Sequence, residues 1–191
     1  MNIVKKAPER YKDTEILPTY LETSNLTIYS HGPIGTRVFK DFFKQTGTRT
    51  TLGYVKPHHW AGLTSVYTSR EHILVLRHPN DQHRHAAWLH GMSIHEVNVK
   101  RENMFYHTHI MPHLAVAQTA QFDFYIRYDK LAQYIFDYEQ PATPTFDARL
   151  IGLEDELDAY YSILENKMEL QVPQWRDLIM RGQLELSLIH I

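Results

Sequence analysis

The sequence predicts an α/β fold with a mainly parallel sheet of four or five strands, helices on both faces and a helical C-terminal segment. Three observations carry this. Leu26 to Phe43 passes from β-branched and aromatic residues, through Gly32, Pro33 and Gly35, to apolar residues at helical spacing, which reads as strand, tight loop and helix. Ile73-Leu74-Val75-Leu76 is an apolar run without polar alternation, the pattern of a strand buried on both faces of a parallel sheet. From Phe122 to Tyr128 apolar and polar residues alternate with period two, which adds another strand.

Taken in order, residues 1–25 are polar and charged, with a short segment near Ile16 to Leu21 interrupted by Pro18. They are expected to form a lead-in that covers a sheet edge. Val38, Phe39, Phe42 and Phe43 give the first helix an apolar stripe, and Gln45 to Thr48, with Gly47 among them, reads as its stop. Thr50 to Val55 is a second strand, and Ala61 to Ser69 a loop with a short helix. After the apolar run at Ile73, Pro79 with Asn80 and Asp81 opens a helix through Leu89. Glu102 to Gln121 is helical in its second half, and Leu131 to Tyr138 is helical. Pro141 and Pro144 mark a linker or excursion. Leu153, Leu157, Tyr160, Tyr161, Leu164 and Met168 then share one face of an amphipathic helix, with Glu154, Asp155 and Glu156 in its first turn. Pro173 is expected to end it before a shorter piece from Trp175 to Met180, and the paired tyrosines and phenylalanines are expected in the core.

Length and composition bound the possibilities. The 191 residues suit one domain with its own core, and 43% hydrophobic residues mark a globular chain. A formal charge of −2 exerts no global pull toward nucleic acid or membrane, so any anion site must be local. With no cysteine, disulfides, thiolate metal sites and a cysteine nucleophile are excluded. The first residues lack an apolar leader and no run is long enough to span a bilayer, so a cytoplasmic protein is expected. Leu186 to Ile191 matches the translation of a sequencing-adapter end and is set aside as a scar. The resulting division is an α/β domain over 1–138, a helical segment of the same domain over 139–185, and the suspected scar over 186–191.

Four stretches can carry chemistry. They are the loop His31 to Arg37, the step Lys56-Pro57-His58, the run Arg77-His78-Pro79 through Arg84-His85, and Arg127-Tyr128-Asp129-Lys130-Leu131. A strand-to-helix loop leaves backbone amides unpaired at the positive end of the helix dipole, which seats an anion. Ligands of open α/β sheets gather at carboxyl ends of strands, where the loops after Ser30, Val55 and Leu76 would meet. Of the thirteen histidines, His107, His109 and His113, with His83 and His85 flanking Arg84, could suggest a metal, but they are read as polar helix surface, with no metal site.

The order and spacing of these stretches over about residues 24–138 resemble the sulfotransferase family. Its members carry a Pro-Lys-x-Gly-Thr-Thr/Ser loop, in some branches a Lys-x-His step, an Arg-x-Pro-x-x-x-x-x-Ser run, and a late strand near Arg-Phe-Glu-x-Leu. The resemblance implies a P-loop-like three-layer fold. It also implies transfer of a sulfuryl group from 3′-phosphoadenosine 5′-phosphosulfate to an acceptor hydroxyl or amine on a small molecule or glycan. On it, Gly32, Gly35 and Thr36 cradle the 5′-phosphosulfate, and Arg77 holds the 3′-phosphate, with Arg84 and His85 beside it. His58 is the base, Lys56 steadies the sulfuryl oxygens, and Trp60 or Trp88 stacks on adenine. Two positions depart from the family. Pro33 stands where the loop lysine would, with Arg37 the nearest substitute, and His85, able to donate and to be cationic, stands where the serine would. A catalytically silent nucleotide-binding module is one alternative. Another is a small-molecule or nucleotide kinase-like P-loop protein, although the loop lysine and magnesium ligands it needs are not in place.

Overall fold

The computed structural model describes residues 19–30, 34–54, 70–89, 110–139 and 153–189. Five strands, β1 (Thr19–Glu22), β2 (Leu26–Tyr29), β3 (Thr51–Tyr54), β4 (Glu71–Leu76) and β5 (Phe124–Arg127), form one sheet in the order β3-β1-β2-β4-β5. The β3–β1 and β1–β2 pairings are antiparallel, and β2–β4 and β4–β5 are parallel, so the sheet is mixed. Among the described residues six helices accompany it. They are α1 (Thr36–Gln45), α2 (Pro79–Leu89), α3 (Met111–Thr119), α4 (Leu131–Tyr134), α5 (Glu154–Asn166) and α6 (Val172–Ile189). None is long and apolar enough to cross a membrane.

The N-terminal stretch departs from expectation. Instead of covering an edge, residues 19–22 lie inside the sheet between β3 and β2. The cause is a tight turn. Thr23 N–H donates to Leu26 O at 2.9 Å, and Leu26 N–H donates to Thr23 Oγ1 at 3.0 Å, folding β1 back on β2 as a hairpin. A four-residue strand is too short to announce itself by alternation. Asn25 ties this turn to the rest of the molecule, its Nδ2 donating to Leu178 O at 2.7 Å and its carbonyl accepting Glu71 N–H at 3.0 Å.

Paired residues of parallel strands share a face. Ile28, Ile73, Val75 and Ile126 lie on one side, with Phe39, Phe42 and Phe43 of α1, Leu131 and Tyr134 of α4, and Trp175 and Leu178 of α6. Tyr29, Leu74, Leu76 and Tyr125 lie on the other, with Leu114, Val116 and Ala117 of α3 and Tyr160 and Ile163 of α5. The apolar run therefore does build a strand with apolar packing on both faces. Gly47, at φ +73°, stops α1 as expected, and Thr48 N–H reaches back to Phe43 O at 2.8 Å.

The C-terminal part is more helical than its pattern implied. Pro173 does not terminate a helix but lies in the first turn of α6, where a missing N–H costs nothing, and α6 runs 18 residues, through positions 186–189. The chain between α5 and α6 lies along β5. Tyr125 N–H donates to Met168 O at 2.9 Å and Leu170 N–H to Tyr125 O at 2.8 Å, which covers backbone groups on that edge. The buried residues of α5 are Glu156, Tyr160 and Ile163, so Tyr161, expected in the core, is 50% exposed, and Met168 is 63% exposed. His113, expected on a polar surface, is fully buried and stacked on Tyr29 at 5.4 Å.

Trp175 is the largest fully buried side chain among those described. Its ring meets Phe39, Phe42, Phe43 and Tyr134 at centroid distances of 6.0 to 6.3 Å, and its Nε1–H donates to Tyr134 O at 2.9 Å. It thereby joins α1, α4 and α6. Trp175→Ala should cost about 3–5 kcal/mol in urea unfolding and Trp175→Phe distinctly less. Equal losses would show that the hydrogen bond, not the ring volume, holds the three helices.

Candidate functional site

Three adjacent parallel strands end together, and each hands a polar residue to the same end of the sheet. After β2, Ser30 is fully buried, and Thr36 Oγ1 donates to Ser30 O and lies 3.0 Å from Ser30 Oγ. This closes the loop between β2 and α1. Gly35, at the N-cap of α1, has φ +108°, a backbone region that glycine tolerates and other residues rarely adopt. A Cβ at this position would come within 3.3 Å of Leu131 Cδ1 and 3.5 Å of Tyr128 Cε2. Among the described residues no side chain caps the leading amides of α1, and its first turn holds no acidic residue. The positive end of its dipole therefore has no carboxylate in that turn.

Arg77 follows β4 directly and is 1% exposed. Its Nε lies 2.5 Å from Asp81 Oδ2, its Nη2 lies 3.2 Å from His85 Nδ1, and its Cζ sits 4.0 Å from the centroid of the Tyr128 ring. Arg77, Asp81 and His85 are spaced by four, so they stack along one side of the start of α2. Tyr128 follows β5, and its ring covers the Arg77 guanidinium and faces the position that a Cβ on Gly35 would take. Tyr138 joins the group, its hydroxyl pushed up to about 12 by burial, by the neighbouring Tyr128 and by its hydrogen bond to it, with Arg77 acting the other way.

Of the residues expected at the site, Arg77 and His85 meet each other beside Tyr128, with Gly35 and Thr36 at the neighbouring start of α1. Arg84 is partly exposed on α2, and its buried Nε makes no hydrogen bond to the described residues. The Arg37 side chain is 94% exposed and its Nε lies 4.0 Å from Asp41 Oδ2, on the solvent side of α1. Gly32, Lys56, His58, Trp60, His107 and His109, and the Trp88 side chain, lie outside the described residues. His85 differs from expectation in charge. Burial and the Arg77 guanidinium lower its pKa, with Asp81 opposing, so the ring is neutral at pH 7 and accepts from Arg77 through Nδ1.

Tyr128 and His78 lie within two of the four stretches that the sequence marks, but neither has an expected role of its own. His78 lies on the other face, its ring 5.0 Å from Tyr160 and 6.2 Å from Tyr161. Asn80 N–H donates to His78 Nδ1 at 3.3 Å, and burial lowers the ring's pKa. The neutral imidazole therefore carries its proton on Nε2, 3.5 Å from Tyr161 Oη. Arg127, at the end of β5, is held by Asp129 through two bonds of 3.0 and 2.6 Å. Among the described residues no group of histidines and acids could hold a metal ion.

No protein-family model, curated protein or solved structure matches this chain.

The helix that carries these side chains also carries a buried histidine. His83 is fully buried and burial pushes its pKa down to about 4. An unfolded histidine titrates near 6.5, so below that pH the unfolded chain binds a proton that the folded chain refuses. Stability should be complete above about pH 6.5 and fall by about 3 kcal/mol as the pH drops toward 4. Melting temperature against pH, for the parent and His83→Gln, tests this. An unchanged slope in the variant would acquit His83.

Proposed function

We propose that this chain is a sulfotransferase-like protein that binds 3′-phosphoadenosine 5′-phosphosulfate across the carboxyl ends of β2 and β4. One observation carries the reading: the Tyr128 ring that covers Arg77 is also the ring that a side chain at Gly35 would meet, at the ends of neighbouring parallel strands. Amides at a helix start and a guanidinium are two different means of holding anions, and a doubly phosphorylated nucleotide needs two such holds. The parallel set β2-β4-β5, with apolar clusters on both faces, supports a mainly parallel, P-loop-like three-layer core to which β1 and β3 are appended.

In this reading the leading amides at Gly35 and Thr36 take the 5′-phosphosulfate, and Arg77 takes the 3′-phosphate with Arg84 near it. The bound nucleotide would supply the sulfuryl group to an acceptor hydroxyl or amine of a small molecule or glycan. The roles of His58 as base, Lys56 on the sulfuryl oxygens and Gly32 in the loop rest on the sequence resemblance. The loop end fits the nucleotide less fully. Pro33 occupies the lysine position and Arg37 extends into solvent, so no described cation faces the leaving oxygen from α1. That observation favours a second reading, a nucleotide-binding module without turnover.

Thermal melting with adenosine 3′,5′-bisphosphate separates these. At ligand a hundredfold above its Kd the parent should gain about 2.7 kcal/mol, several degrees in Tm, and Arg77→Ala should gain none. No shift in the parent removes the nucleotide site. A shift without conversion of the phosphosulfate to the bisphosphate identifies the silent module.

A further inference from the structure

We infer that Asp81 is a built-in occupant of the anion seat at Arg77, and that a phosphate or sulfate ester binds there by displacing it. The inference rests on the anion site proposed above and adds how that site is controlled.

A guanidinium donates only along its edges, because its faces carry no N–H. At Arg77 one face is covered by the Tyr128 ring at 4.0 Å, the Nε edge is taken by Asp81 at 2.5 Å, and Nη2 is met by His85 at 3.2 Å. The arginine is 1% exposed, whereas the Asp81 side chain is 36% exposed. Of these three neighbours, His85 is neutral and Tyr128 is packed in the core, so the carboxylate is the one with charge and a path to solvent. An anion reaches this edge by the route that Asp81 vacates.

The exchange keeps the buried charge compensated throughout. Removing a partner from a buried guanidinium is costly, but replacing a carboxylate with another oxyanion leaves the same donors satisfied. Asp81 also stands in the first turn of α2, where the helix dipole favours a carboxylate whether or not it touches Arg77. Swinging outward therefore does not strand it. The cost of release is subtracted from ligand affinity, so an oxyanion that meets the guanidinium no better than Asp81 does is excluded.

The test is calorimetric titration of the parent, Asp81→Asn and Asp129→Asn with adenosine 3′,5′-bisphosphate. Asn keeps the side-chain size but loses the charge, so D81N should bind about tenfold or more tightly than the parent. The gain should persist in about 0.5 M salt, where screening confines charge effects to roughly 4 Å. Asp129 is a carboxylate at the end of the neighbouring strand, and D129N should bind as the parent does. If the parent binds and D81N gains nothing, the displacement is wrong while the site stands. Equal gains in D81N and D129N, or a gain abolished by salt, mean a general charge effect and also overturn it. Binding by neither protein removes the site itself. Should D81N fail to fold, the carboxyl carbon resonance of Asp81 in the parent decides. It must move to a solvent-exposed position on saturation with the bisphosphate, and an unmoved signal overturns the displacement.

Discussion

A full positive charge sealed from water is the constraint around which this molecule is arranged. The guanidinium of Arg77 cannot be neutralised by losing its proton, so its surroundings must compensate it. They do so from two sides, with Asp81 and His85 from α2 and Tyr128 from the turn after β5. Asp81 and His85 reach it through their spacing along the chain, whereas Tyr128 can be there only because β4 and β5 run parallel and in register, ending together at Leu76 and Arg127. The ion pair thus follows from the Arg-x-x-x-Asp spacing and the aromatic cover from strand order.

The same register divides the end of the sheet into two chemically different sides. Side chains alternate along a strand, so Arg77 goes to the side of α1 and α4, and His78 to the side of α5. One side holds a compensated cation, an aromatic ring and a glycine-bounded helix start. The other holds a neutral imidazole of fixed tautomer beside two tyrosines, one of them half exposed. A ligand seated across the strand ends would meet oxyanion donors on one side and an aromatic wall on the other.

Much of the framework was legible because its signals are local. Gly35 between a strand and a helix, Gly47 after a helix, the unbroken run Ile73 to Leu76 and Pro79 at a helix start each reflect a backbone requirement satisfied within a few residues. Where the reading failed, the deciding partner was distant. β1 carries too few residues to show a period, and it is a strand because β2 and β3 flank it. Tyr161 shares the helical pattern of its neighbours but falls just outside the arc that the sheet covers. Pro173 reads equally as the end of one helix or the beginning of another, and the packing of Trp175 and Leu178 against the sheet selects the beginning.

The chain by itself determined that there is a strand, a glycine-containing loop and a helix, a doubly buried strand ending in arginine, and no means of disulfide or thiolate chemistry. Those properties come from short-range sterics, hydrogen-bonding capacity and composition. Only the tertiary structure decided that the Tyr128 ring covers Arg77 and faces the Gly35 position, that Arg77 is compensated internally while Arg37 is not drawn in, and that His85 is neutral. Burial, dielectric environment and the meeting of strand ends are properties of elements distant in sequence, and no local pattern encodes them.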